Sequence, residues 1–148
     1  MSDLLQETDK ESSVLPSAEP LAVEAVANEA GRLLCEHKGG DVVVMDMRGL
    51  NFWTDFFVIA TATSGTHLSG LERHVKEFAA LRGLELRRSR KPEMQAIVQL
   101  GGTAGPGMEE WCLIDLGNIV IHLMNERSRS FYELERLWSS ATLSRITV

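Results

Sequence analysis

Residues 111–124 read WCLIDLGNIVIHLM, two apolar runs joined by Gly117-Asn118. A two-residue Gly-Asn link between β-prone runs is a hairpin signal, and glycine at the first central position suits a type II′ turn. One hairpin excludes a purely parallel sheet. Upstream, Asp41-Val42-Val43-Val44-Met45-Asp46-Met47 is dominated by valine and too short for a core helix, and Phe56 to Ala62 has the same character. Continuous apolar runs of this length predict strands buried on both faces.

Helical periodicity surrounds these runs. Ser17 reads as an N-cap, with Glu19 and Pro20 in the first turn; Leu21, Val23, Val26, Ala30, Leu33 and Leu34 then recur at helical spacing. Lys38 closes the last turn and Gly39-Gly40 stop the helix. Thr63-Ser64-Gly65-Thr66 combines a turn with N-cap chemistry. The helix it opens carries Leu68, Leu71, Val75, Phe78 and Ala79 on one face and ends at Gly83. Met94 to Leu100 is expected as a further strand, before a flexible glycine-rich loop, Gly101 to Gly107. A last helix, capped by Ser128 or Ser130, carries Phe131, Tyr132, Leu134, Leu137 and Trp138. The predicted fold class is α/β (α+β), a mixed β-sheet with helices packed on it. Residues 1–16, acidic and poor in apolar side chains, are expected as a disordered N-terminal tail, 17–140 as the domain and 141–148 as a C-terminal tail.

The 148 residues suit one domain, and the net charge of -6 points away from a basic nucleic-acid binder. Cys35 and Cys112 lie in no CxxC pair, so reduced thiols packed in the core of a cytoplasmic protein are expected. Met1 to Ser13 has no apolar signal core, and no run approaches the ~20 apolar residues of a membrane span.

The chemical motifs mostly fail. Ser64 sits at a strand-to-helix junction, but Ala62 stands where a nucleophile elbow has its first glycine. The glycine loop precedes a strand rather than the helix N-terminus that a phosphate site needs. His67 and His74 share a helix face two turns apart, too far to chelate one ion, and His122 in its apolar run reads as a hydrogen-bonded packing residue. No metal site and no cofactor are expected. Asp46 and Asp115, if on adjacent strands, could converge on magnesium as an alternative enzymatic site. Arg87, Arg88, Arg90 and Lys91 offer an alternative RNA-binding module, set against a plain solvated loop. Of the tryptophans, Trp138 reads as a core anchor, Trp53 lies in a loop between strands, and Trp111 fits core or interface equally.

The runs Asp41 to Leu50, Thr54 to Ser64 and Trp111 to Met124, with Arg129 and Phe131 to Trp138, resemble in that order the ribosomal silencing factor (Iojap) family over about residues 20 to 140. The resemblance implies a nucleotidyltransferase-like fold without catalytic acids, hence no enzyme. It implies docking on large-subunit ribosomal protein fourteen in the cytoplasm, which blocks association of the ribosomal subunits and represses translation under nutrient limitation. With a ribosome as partner, the net charge of -6 puts the contact mainly on protein rather than on RNA phosphates. It also implies frequent homodimers. Carried over position by position, the partner-binding residues are Trp111, Asp115 and Leu116, with Tyr132 as a weaker match. The chain departs from the family pattern at Ala62, at Asn118 and in a longer interval from Gly83 to Trp111.

Overall fold

The computed structural model describes residues 20–50, 54–87 and 111–147. Ser17, Trp53, the strand expected at Met94 to Leu100, the glycine loop and the basic residues Arg88, Arg90 and Lys91 lie outside the described residues, as does the 1–16 tail. The elements are α1 (Pro20–Glu36), β1 (Gly40–Asp46), β2 (Phe56–Ala62), α2 (Gly65–Leu81), β3 (Trp111–Asp115), β4 (Ile119–Asn125), α3 (Glu126–Tyr132), α4 (Leu134–Leu137) and β5 (Thr142–Arg145).

The described strands form one sheet in the order β3-β4-β2-β1-β5. β2 and β4 run parallel, and every other pair is antiparallel, so the sheet is mixed as predicted. β1, β2 and β4 are central, which is why their sequences are apolar without alternation. One face carries Val42, Val44, Val58, Ala60, Ile121 and Leu123 against Ala27, Ala30 and Leu34 of α1 and Leu71, Val75 and Ala79 of α2. The other carries Val43, Met45, Phe57, Ile59, Val120 and Met124 against Leu134, with Tyr132, Trp138 and Leu143 around it.

The helix ends follow local chemistry. The Ser64 side chain accepts the His67 N–H at 3.0 Å, as the cap reading requires. At the far end Gly83 (φ +71) adopts the left-handed cap conformation, and the Leu84 and Gly83 amides donate to the carbonyls of Ala79 and Ala80. α1 ends a little before its glycines: Lys38 takes the left-handed position (φ 70) and Gly39 donates to Leu34 O at 2.7 Å. A Cβ on Gly39 would stand 2.8 Å from that same carbonyl oxygen, so glycine is needed one place later than a simple stop signal suggests.

The C-terminal third needs two corrections. The single helix expected from Ser128 or Ser130 is two short helices, broken at Glu133 in the left-handed region (φ 47). Its cap is Asn125, whose side chain accepts the Ser128 N–H at 2.8 Å; Ser128 itself is buried. The expected tail at 141–148 contains β5, which pairs with β1 from Val43↔Arg145 to Asp46↔Thr142. Leu143 packs on one face of the sheet and Ile146 on the other, and the Ile146 amide donates to Val42 O. A four-residue edge strand with one inward side chain has too little hydrophobic pattern to stand out from a tail.

Candidate docking site at the edge of the sheet

The Gly117-Asn118 link fixes the hairpin. Leu116 N–H bonds Ile119 O, and Trp111 is placed opposite Met124, Leu113 opposite His122 and Asp115 opposite Val120. Gly117 has φ +94 while Asn118 is absent from the positive-φ residues, which excludes a type I′ turn and fits type II′. Alternation then sends Trp111, Leu113 and Asp115 to the face that carries Phe57 and Val120, and Cys112 and Ile114 to the helical face.

Trp111 opens β3, an edge strand among the described residues, and is half-buried. Its indole N–H donates to His122 Nδ1 at 3.1 Å, the diagonal neighbour across the hairpin. Its ring lies 4.5 Å from the Tyr132 ring, and Phe131 stands edge-on to Tyr132 at 5.0 Å. Phe131 is 55% exposed, so the aromatic row runs from the sheet edge out to solvent. An open groove of about 550 Å³ follows the outer edge of β3, lined by Trp111 to Asp115 together with Glu72, Lys76, Leu86 and Arg87.

The four carried-over residues therefore separate. Trp111 and Tyr132 touch. Asp115 shares their face but sits ~13 Å along the strand from Trp111 by strand rise. It is buried, with Oδ1 accepting the Gly117 N–H at 2.9 Å and its carbonyl accepting the Arg87 amide. Asp115 shapes the hairpin turn. Leu116 is buried on the helical face, where it borders a second groove, about 260 Å³, with Val23, Val26, Leu84 and Ile119.

His122 is fully buried, and burial first, then the Arg129 charge, push its pKa from 6.5 to about 3. The ring is neutral, Nδ1 is the acceptor, and the proton sits on Nε2. Phe57 packs edge-on to the ring at 4.5 Å. This bears out the hydrogen-bonded packing role expected for His122 and gives Trp111 as its partner. The signal was present, because a two-residue loop at 117–118 dictates the register that sets Trp111 and His122 diagonally.

The alternative pairing of Asp46 with Asp115 fails on geometry. Asp46 pairs with Phe56 and faces the helices, whereas Asp115 faces the other side. β4 and β2 lie between their strands, so about 14 Å separates them at ~4.8 Å per strand. Asp46 is held by Arg48 through bonds of 2.9 and 2.6 Å, which lower its pKa below the ordinary carboxylate value. Asp41 joins a different network. Arg129, its side chain 10% exposed, donates to Asp41 O, Thr61 Oγ1 and Glu135 Oε2, and Arg145 bonds the Asp41 carboxylate. These contacts tie α3 and α4 to the starts and ends of the central strands. His67 bonds the His37 carbonyl at 2.9 Å, and the His37 and His74 rings stack at 3.6 Å. Cys35 and Cys112 are free thiols.

Fold and site together define a small mixed-sheet α/β domain with a half-exposed aromatic row at one sheet edge, Asp46 engaged in an ion pair and Asp115 in the hairpin turn. The family model described as ribosomal silencing factor during starvation matches residues 20–148. A ribosomal silencing factor of Treponema pallidum is 32% identical over 126 residues, spanning 84% of this chain and 100% of that protein. One from Bacillus subtilis is 28% identical, spanning 74% and 82%. A solved structure of a Chromobacterium violaceum protein superposes with a TM-score of 0.61 at 25% identity, covering 82% of this chain and 87% of that one. The chain belongs to the ribosomal silencing factor family.

Proposed function

We propose that this protein represses translation by docking on large-subunit ribosomal protein fourteen and blocking association of the ribosomal subunits under nutrient limitation. It acts in the cytoplasm, as a binding protein rather than an enzyme, and needs no cofactor. The observation that carries the reading is the Trp111–Tyr132 pair, two touching, half-buried aromatic rings at a sheet edge in a chain of this family. Large rings at a partly desolvated edge are the side chains that dominate protein interfaces. The net charge of -6 favours a protein contact over one made to RNA phosphates. Within the docking site Trp111 and Tyr132 make the contact, while Asp115 and Leu116 act from beneath by holding the hairpin. The separation of Asp46 from Asp115 removes the acid pair that an enzymatic reading used.

Trp111→Ala is expected to weaken docking by at least ~2 kcal/mol, about 30-fold. Co-sedimentation of purified large subunits with the folded variant measures it. Wild-type affinity of that variant would remove Trp111 from the interface.

A further inference from the structure

We infer that His122 is a positioning residue for Trp111: the Nδ1 acceptor beneath the sheet edge holds the indole in one orientation before a partner arrives. The inference rests on the docking reading given for Trp111. Trp111 is half-buried at the start of a strand that is an edge among the described residues, and such a side chain is not fixed by packing alone. The 3.1 Å bond to Nδ1 and the Tyr132 ring select one orientation. His122 is itself immobile: it is fully buried in a central strand, with Phe57 edge-on at 4.5 Å. An anchor fixed from below in this way loses less freedom on binding.

A second observation argues that the acceptor is kept for a purpose. Since Nδ1 faces an N–H donor, the ring proton is on Nε2. That nitrogen is buried and has no hydrogen-bond partner among the described residues. A buried donor left without an acceptor destabilises the fold; leucine or phenylalanine at position 122 would avoid that cost but would take the acceptor from the Trp111 N–H. What histidine supplies here is the Nδ1 bond that orients Trp111.

The test uses the full chain with His122→Leu, His122→Phe and His122→Asn. Asparagine places Oδ1 where Nδ1 stands, so it keeps the acceptor; phenylalanine keeps a ring and removes it. Trp111 is one of three tryptophans, and its indole N–H cross-peak is assigned by its loss in Trp111→Phe. In the wild type and His122→Asn this N–H should resist exchange with deuterated water. In His122→Leu and His122→Phe it should exchange at least tenfold faster, with affinity for large subunits falling about 3- to 10-fold. In a Trp111→Phe background the His122 changes should cause no further loss of affinity. His122→Phe is the control should His122→Leu fail to fold. An indole N–H that stays protected without the acceptor overturns the inference, as does an equal affinity loss in the Trp111→Phe background. Weak docking by Trp111→Ala beside wild-type docking by both His122→Leu and His122→Phe overturns this inference alone. Wild-type docking by Trp111→Ala overturns the docking site and this inference with it.

Discussion

On one face of the sheet, Val42, Val44, Val58, Ile121 and Leu123 meet the aliphatic stripes of two 17-residue helices. On the other, Val43, Phe57 and Val120 share their space with His122, Trp111, Tyr132 and Trp138, beneath two helices of 7 and 4 residues. The same strands supply both faces, yet the coverings differ in kind. The helical face is sealed by regular elements whose periodic side chains fill the space, with directional bonds such as the Ser64 cap and the His67–His37 contact at its rim. The other face is closed by short pieces that cannot bury enough apolar area alone. Specific contacts hold it instead: the Arg129 network, the Asn125 cap and the Trp111–His122 bond. Stability is concentrated where packing is regular, and the candidate site lies where the covering is thin enough to leave rings at the surface.

The largest effect should come from the helical face. Leu34 is fully buried against β1 and β2, so Leu34→Ala is expected to cost ~3–4 kcal/mol in urea denaturation. If the variant still folds, its docking should be unchanged. A comparable loss from Tyr132→Ala would erase the proposed contrast between the faces. Deleting residues 141–148 should come next, at about 3 kcal/mol, because it removes Leu143 and Ile146 and opens the edge of β1. A truncated chain with wild-type stability would return this segment to the status of a tail.

Acid should act on the thin face. The His122 pKa falls from 6.5 to about 3 on folding. Between those values the unfolded chain binds a proton that the native ring refuses, so stability drops as pH falls below 6.5. The loss reaches about 2 kcal/mol at pH 5 and is complete only near pH 3. Denaturation midpoints from pH 7 to 5 should show this slope in the wild type and not in His122→Phe; equal slopes would break the assignment. The smallest effects compare one cap from each face. Ser64→Ala and Asn125→Ala each remove one side-chain bond to a helix amide and should each cost ~1 kcal/mol. A much larger cost for Asn125 would sharpen the contrast, since α3 is only 7 residues long and its buried residue is Ser128 rather than an apolar stripe.

The legible part of the fold is the part with long apolar periods. α1, α2, β1, β2 and the hairpin all follow from spacing, because each buries a repeated pattern. The cap at Ser64 and the turn at Gly117 follow from residue chemistry. α3 and α4 have no such period: Asn125 ends a strand and begins a helix at once, and the break falls at Glu133, a residue with no turn preference to announce it. β5 carries no such pattern, because an edge strand needs only one inward side chain.

The candidate site divides the same way. Sequence by itself left Trp111 between core and interface, and the family resemblance carried over Trp111, Asp115 and Leu116, with Tyr132 as the weaker match; the two-residue loop at 117–118 admits one hairpin register. Only the tertiary structure decided which residues meet. It set Tyr132 on Trp111, turned Asp115 inward to its own hairpin and buried Leu116 on the opposite face. It also placed two strands between Asp46 and Asp115. Local chemistry determines periods, caps and turns because neighbours in the chain enforce them; strand order and the packing of one short helix on an edge are settled by the whole sheet at once.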